Sequence, residues 1–165
     1  MKLKDKVALI TGGSSGIGRA AAVAMARQGA KVALTARRAE RCQEAVGEIE
    51  GMGGEALALP GDVADAEHVK ALVAATVERW GRLDIVVPNA GINGVFAPIE
   101  DITPEEWDQT QQINVRGTFL TVKYAPSPTC VQSAAAASSS SPQSTATGSS
   151  PTSASPPTPA PKPPR

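Results

Sequence analysis

Residues 1–125 predict an α/β fold, a doubly wound parallel sheet with helices on both faces. Short, wholly apolar runs recur along this stretch, amphipathic segments separate them at the spacing of crossover units, and a glycine-rich turn follows the first run. Strands covered on both faces read as continuous apolar runs. Their regular alternation with helices is the mark of parallel strands joined by crossovers.

Val7-Ala8-Leu9-Ile10 is the first buried strand, closed by Thr11-Gly12-Gly13. The spacing then predicts a helix from about Gly16 to Gln28, stopped by Gly29 as the residue just past the cap. Val32-Ala33-Leu34 is the second strand. Cys42, Ala45, Val46 and Ile49 lie at i, i+3, i+4 and i+7, one face of a second helix. Ala56 to Leu59 makes a third strand. Asp65 is placed to cap a helix whose apolar positions are Val69, Leu72, Val73, Thr76, Val77 and Trp80. His68 falls among the surface positions of that helix and reads as solvated, as do Arg19 and Arg27 on the first. Leu83 to Val87 is the fourth strand, with Pro88 marking its end because proline cannot donate to a ladder. Thr103-Pro104-Glu105-Glu106 is a capping box with proline at the first helical position, opening a helix to about Tyr124. Four strands are fewer than a complete doubly wound domain uses.

Thr11-Gly12-Gly13-Ser14-Ser15-Gly16-Ile17-Gly18 sits at the first strand-to-helix turn. Glycines there let the backbone approach a diphosphate, and the helix N-terminus offers free N–H groups and partial positive charge. The spacing is G-x-x-x-G-x-G. With Asp62-Val63 after the third strand, Asn89-Ala90-Gly91 after the fourth and Asn114 in Ile113-Asn114-Val115, it resembles the short-chain dehydrogenase/reductase family in order and spacing. The resemblance covers roughly residues 5–125 and implies a Rossmann-like domain, truncated here after about four strands. It implies a nicotinamide dinucleotide held by Thr11, Gly12, Ser14, Ser15, Gly16, Ile17 and Gly18, by Asp62 and Val63 at the adenine, and by Asn89, Ala90 and Gly91. Asn114 is the matching catalytic position, the helix asparagine that holds a water in the family's proton relay. Pro88 departs from the family's frequent second asparagine.

The second strand ends Thr35-Ala36-Arg37-Arg38. An acidic side chain at this end would bind the ribose hydroxyls of NAD and repel a 2′-phosphate. Here Ala36 takes that position and Arg37 and Arg38 follow, so NADP is favoured over NAD. The blander reading has both arginines facing water.

The resemblance further implies hydride transfer on a small alcohol or carbonyl substrate, a tyrosine acid/base with a lysine four residues later, an upstream serine, and homo-oligomers formed through the helix that starts near Thr103. A free tyrosine has a pKa of about 10 and needs a nearby cation to act near neutrality. The chain's one tyrosine, Tyr124, is followed four positions later by Pro128. Tyr124 reads as a packing residue, no metal-ligand cluster stands in for the missing pair, and the chain is expected to be inactive. The alternative class is a non-catalytic nucleotide-binding or regulatory module.

Residues 126–165 are a different polymer, holding ten of the fourteen prolines with eleven Ser, seven Ala and five Thr, and no acidic or aromatic residue. Such a composition predicts disorder. It reads either as a genuine interaction tail or as a frameshift product. Rebuilding each codon from the last base of its predecessor and its own first two lets Ala134 to Ala137 become glycines and Pro142 and Gln143 serines. The same shift permits tyrosine at Thr158 and lysine at Lys162, among other readings that degenerate codons allow. The rebuilt text resembles the family's glycine turn, serine pair and YxxxK in order.

Formal net charge is zero, which gives no bulk attraction to nucleic acid or anionic membrane. No apolar run reaches the roughly 20 residues a bilayer span needs. Cys42 and Cys130 form no CxxC, and a charged N-terminus runs straight into a strand. A reduced, cytoplasmic setting is the expectation.

Overall fold

The computed structural model describes residues 1–125. The readings made above for residues 126–165, disorder and the frameshift among them, lie outside the described residues.

Four parallel strands form one sheet in the order β3-β2-β1-β4: β1 (Val7–Thr11), β2 (Lys31–Thr35), β3 (Ala56–Ala58) and β4 (Ile85–Pro88). Val7 pairs with Lys31 and Thr11 with Thr35 on one side of β1, and Ala8 pairs with Ile85 through to Thr11 with Pro88 on the other. Three helices make the crossovers, α1 (Gly16–Arg27), α2 (Ala39–Gly51) and α3 (Ala66–Trp80). After β4 the chain runs through a short 3-10 turn, Ile99–Asp101, into α4 (Pro104–Gln111), a π-helical turn (Gln112–Arg116) and α5 (Gly117–Tyr124).

The strand runs are apolar throughout because successive side chains enter two different cores. Ile10, Val32 and Leu34 point to one face and meet Ala22, Ala26, Ala45 and Ile49 from α1 and α2. Val7, Leu9 and Ala33 point to the other and meet Leu72 and Val73 of α3, with Tyr124 at the margin. Every residue of β1 is buried. The sheet is therefore wound on both faces, as the runs predict.

The helix ends follow their sequence signals. Gly29, at φ +90°, follows α1, with its amide on the Ala26 carbonyl (2.9 Å) and that of Ala30 on Met25 (3.1 Å). Gly53 and Gly54 repeat this after α2. Asp65 caps α3 by accepting the Glu67 amide at 2.9 Å. Thr103 and Glu106 form both halves of the capping box at α4.

Three expectations need correction. The helix from Thr103 to Tyr124 is not uniform, because Gly117 donates to the Gln112 carbonyl five residues back and opens a π turn. The fourth strand begins at Ile85 and includes Pro88 as its last paired residue, since Leu83 is buried in the core ahead of the ladder. The third strand ends at Ala58, although Leu59 still donates to Leu34 at 2.9 Å.

Candidate functional site

The carboxyl ends of β1, β2 and β4 open on a cleft of about 580 Å³. This is where an open parallel sheet presents its loops, at the point where strand order reverses beside β1. Gly12, Ser14 and Ser15 line it from the first turn. Ala36, Arg37 and Arg38 line it from the end of β2, and Gly61 and Val63 from the loop after β3. Asn89, Ala90 and Gly91 close the side at β4, with Ile92 and Ile113 behind them.

The first turn is shaped by close approach. Gly12 has φ +66°, and a Cβ there would lie 2.9 Å from the Ala90 Cα. A Cβ on Gly18 would overlap the Gly12 carbonyl oxygen, so α1 starts hard against the turn. Ser15, the residue before α1, makes no side-chain cap, and no acidic residue occupies the first turn. The helix N-terminus therefore keeps its partial positive charge.

Asn89 ties β4 to this turn. Its amide and that of Ala90 donate to the Thr11 hydroxyl at 3.0 and 3.1 Å, and its Nδ2 donates to the Thr11 carbonyl at 3.1 Å. Asn114 ties the next loop to the π turn. Its Oδ1 accepts the Ile92 amide and its Nδ2 donates to the Ile92 carbonyl, both at 2.8 Å. Asn114 is the middle residue of the π turn, Gln112–Arg116.

The cleft gathers nine of the residues singled out by sequence: Gly12, Ser14, Ser15, Arg37, Arg38, Val63, Asn89, Ala90 and Gly91. Thr11 is buried beneath it as a hydrogen-bond hub. Gly16 and Gly18 shape the turn without lining the cleft, and Ile17 is 82% exposed. Asp62 is exposed, with Oδ1 accepting the Ala64 amide at 2.9 Å. Asn114 stands behind Gly91, its Oδ1 3.3 Å from where a Gly91 Cβ would be.

Sequence reasoning missed Gly61, Ile92 and Ile113. Gly61 follows Pro60 immediately after the third run, a turn signal passed over; the two isoleucines adjoin motif residues already marked. His68 is misread as solvated. Its Nε2 lies 3.1 Å from the Thr35 hydroxyl, and its ring fills the space beside Gly61. Residue 68 precedes Leu72 by one helical turn, so it shares the buried face. Arg19 is also engaged, with Nε 2.9 Å from Glu48. Cys42 is a buried free thiol whose pKa is pushed up by burial.

Among the described residues that line the cleft there is no carboxylate, lysine, tyrosine or histidine; its only full charges are Arg37 and Arg38. Tyr124 does not line it; half-buried against the α3 core, it has Lys70 Nζ 5.3 Å from its ring centroid. No group of three or more His, Cys, Asp or Glu that could hold a metal occurs among the described residues. None of the described helices is long and apolar enough to cross a membrane.

The family model for short chain dehydrogenases matches residues 6–136. An uncharacterized oxidoreductase from Thermotoga maritima is 50% identical over 126 residues, which are 76% of this chain and 49% of the relative. The crystal structure of a 3-ketoacyl-ACP reductase from Sinorhizobium meliloti 1021 superposes with TM-score 0.69 at 52% identity, covering 71% of this chain and 46% of the other. The structure of an NAD+-bound xylitol dehydrogenase superposes with TM-score 0.74 at 33% identity, covering 76% and 48%. The chain spans about half the length of the curated relatives it matches.

Proposed function

The chain belongs to the short-chain dehydrogenase family, and we propose that residues 1–125 are a nicotinamide-dinucleotide-binding unit that prefers NADP and, in this polypeptide, turns over no substrate. The observation that carries this reading is the charge of the cleft: two guanidinium groups and an uncapped helix N-terminus, with no carboxylate among the described residues that line it. An elongated polyanion fits that field. Gly12 to Gly18 would hold the diphosphate, Asp62 and Val63 the adenine, and Asn89 to Gly91 the nicotinamide side. Arg37 and Arg38 would pair with a 2′-phosphate. Relatives named as reductases and an NAD+-bound neighbour share the fold, so likeness does not choose the cofactor. The side chains at the end of β2 supply the argument.

In such a site the nicotinamide carries the hydride. What this chain would lack is the proton-handling group. Tyr124 packs half-buried at the margin of the α3 core, position 128 is proline, and the described residues lining the cleft offer no acid/base. Asn114, whose side chain is engaged with Ile92, would act only by holding the loop and a water. By this reading the chain beyond residue 136, where the family match ends, is foreign to the family, and the DNA sequence across codons 120–130 tests its frame. An intact frame there favours a regulatory module. The strip of Val115, Phe119 and Val122, each more than half exposed on α5 and the π turn, supports self-association through that helix. A reduced, cytoplasmic setting completes the proposal.

The test is fluorescence titration of the 165-residue chain with NADPH, followed by an alcohol and ketone panel. Binding without turnover is expected. Turnover that Asn114→Ala abolishes, or no binding, overturns the reading.

A further inference from the structure

We propose that His68 is a positioning residue for cofactor selection, a wedge that fixes the turn carrying Arg37 and Arg38; this rests on the dinucleotide reading above. His68 stands in the first turn of α3, beneath the end of β2. Its Nε2 is 3.1 Å from the hydroxyl of Thr35, whose side chain is fully buried. On its other side the ring lies against Gly61, where any Cβ would overlap it. The imidazole thus fills the gap between the last residue of β2 and the wall of the cleft.

The backbone on either side of the wedge is tied together. The Gly61 amide donates to the Ala36 carbonyl at 3.1 Å, and the Gly13 amide donates to the Thr35 carbonyl at 3.2 Å. Thr35 and Ala36 are the residues from which Arg37 and Arg38 project into the cleft. A buried hydroxyl left without a partner is costly, so the Thr35–His68 contact sets the side-chain rotamer at the strand end. Removing the ring would leave a void under Gly61 and loosen the peptide at Ala36. That loosening would weaken the phosphate contact at the far end of the cleft more than contacts along Asn89 to Gly91.

A purely structural role would lower stability without changing which cofactor is chosen. The discriminating quantity is the ratio of NADH to NADPH dissociation constants, measured on the full chain. In His68→Ala the ratio should fall about threefold to tenfold, the range that one hydrogen bond and its geometry carry. His68→Gln, which can still reach the Thr35 hydroxyl, should recover most of it. In an Arg37→Ala background, His68→Ala should change the ratio by less than about 1.5-fold, because both act through one contact. If His68→Ala does not fold, the near-isosteric Thr35→Val removes the same hydrogen bond and should lower the ratio alike. A parent-like ratio in whichever of these two variants folds overturns the inference while leaving the dinucleotide site standing. A parent chain that binds neither cofactor overturns both.

Discussion

Asn114 grips Ile92 through both atoms of its amide, accepting the backbone N–H and donating to the backbone carbonyl at 2.8 Å each. The two bonds lock the loop after β4 onto the π turn, 22 residues later in the chain. Asn114→Ala should lower stability by about 1–3 kcal/mol, read as a Tm decrease of several degrees by calorimetry. Asn114→Asp keeps the acceptor and loses the donor, so it should fall between. Equal Tm values for parent and Asn114→Ala would show that the loop is held elsewhere.

Gly18 packs on the Gly12 carbonyl with no room for a side chain. Gly18→Val should push α1 off the turn and weaken NADPH binding by at least about tenfold, since a misplaced helix N-terminus no longer meets the diphosphate. Gly16, by contrast, has nothing within 4 Å of a Cβ position, although its φ is +54°. Gly16→Asn, a residue tolerant of left-handed backbone, should therefore disturb the turn less and cost less affinity than Gly18→Val. Titration of both variants checks the contrast.

Local signals made the elements legible. The apolar runs of β1 and β2, the Gly29 stop and the Thr103–Glu106 box each depend on residues close in sequence, and each stands as read. Nine of the thirteen cleft-lining residues were legible because their motifs sit at strand ends, which a parallel sheet brings to one edge. The π turn was not, because one turn of i→i+5 bonding leaves the helical periodicity of Ile113, Gly117 and Leu120 nearly unchanged. His68 was missed for another reason: its partners, Thr35 and Gly61, lie on other elements, and a polar residue beside an apolar stripe resembles a solvated one.

If the cleft prefers NADPH as proposed, Arg37→Ala should shrink that preference by removing a guanidinium partner for the 2′-phosphate. Partly exposed charge-assisted pairs contribute about 1–2 kcal/mol, so the loss should be roughly fivefold to thirtyfold for NADPH and small for NADH. Raising salt should mimic the substitution. Equal affinities for the two cofactors in the parent chain would refute the preference.

Asp84 fastens the start of β4 to β1, accepting the Val7 amide at 2.9 Å and pairing with Lys6 and Arg82. Burial works against its charge, but Arg82, the Val7 amide and Lys6 outweigh it and hold the carboxyl below its usual value. A carboxyl depressed in the folded state adds stability above its unfolded pKa and loses it as pH falls through the folded one. Asp84→Asn should therefore lower Tm at pH 7, and the gap to the parent should close as the pH drops below about 4. A gap that persists unchanged to pH 2 would assign the effect to packing.

β4 forms one edge of the sheet among the described residues, and its four positions are only half-buried, where β1 is wholly buried. The outer N–H and C=O groups of Ile85, Val86 and Val87 make a row beside apolar side chains, which is a template for another chain. Val115, Phe119 and Val122 add an exposed apolar strip on the π turn and α5. A whole domain is stable by only about 5–15 kcal/mol, and burying one large apolar side chain contributes roughly 1.5–3 kcal/mol. Half-burial of the three apolar residues of β4 and of that strip removes a sum of the same size as the total. The 165-residue chain should therefore unfold over a broad range at low temperature and associate in a concentration-dependent way. If the cleft binds NADPH as proposed, the cofactor should raise the midpoint by an amount that grows with its concentration. Calorimetry and light scattering, with and without NADPH, read both effects. A cooperative transition in a monodisperse monomer without cofactor would show that the exposed edge at β4 does not destabilise the chain, and the association argument would fail.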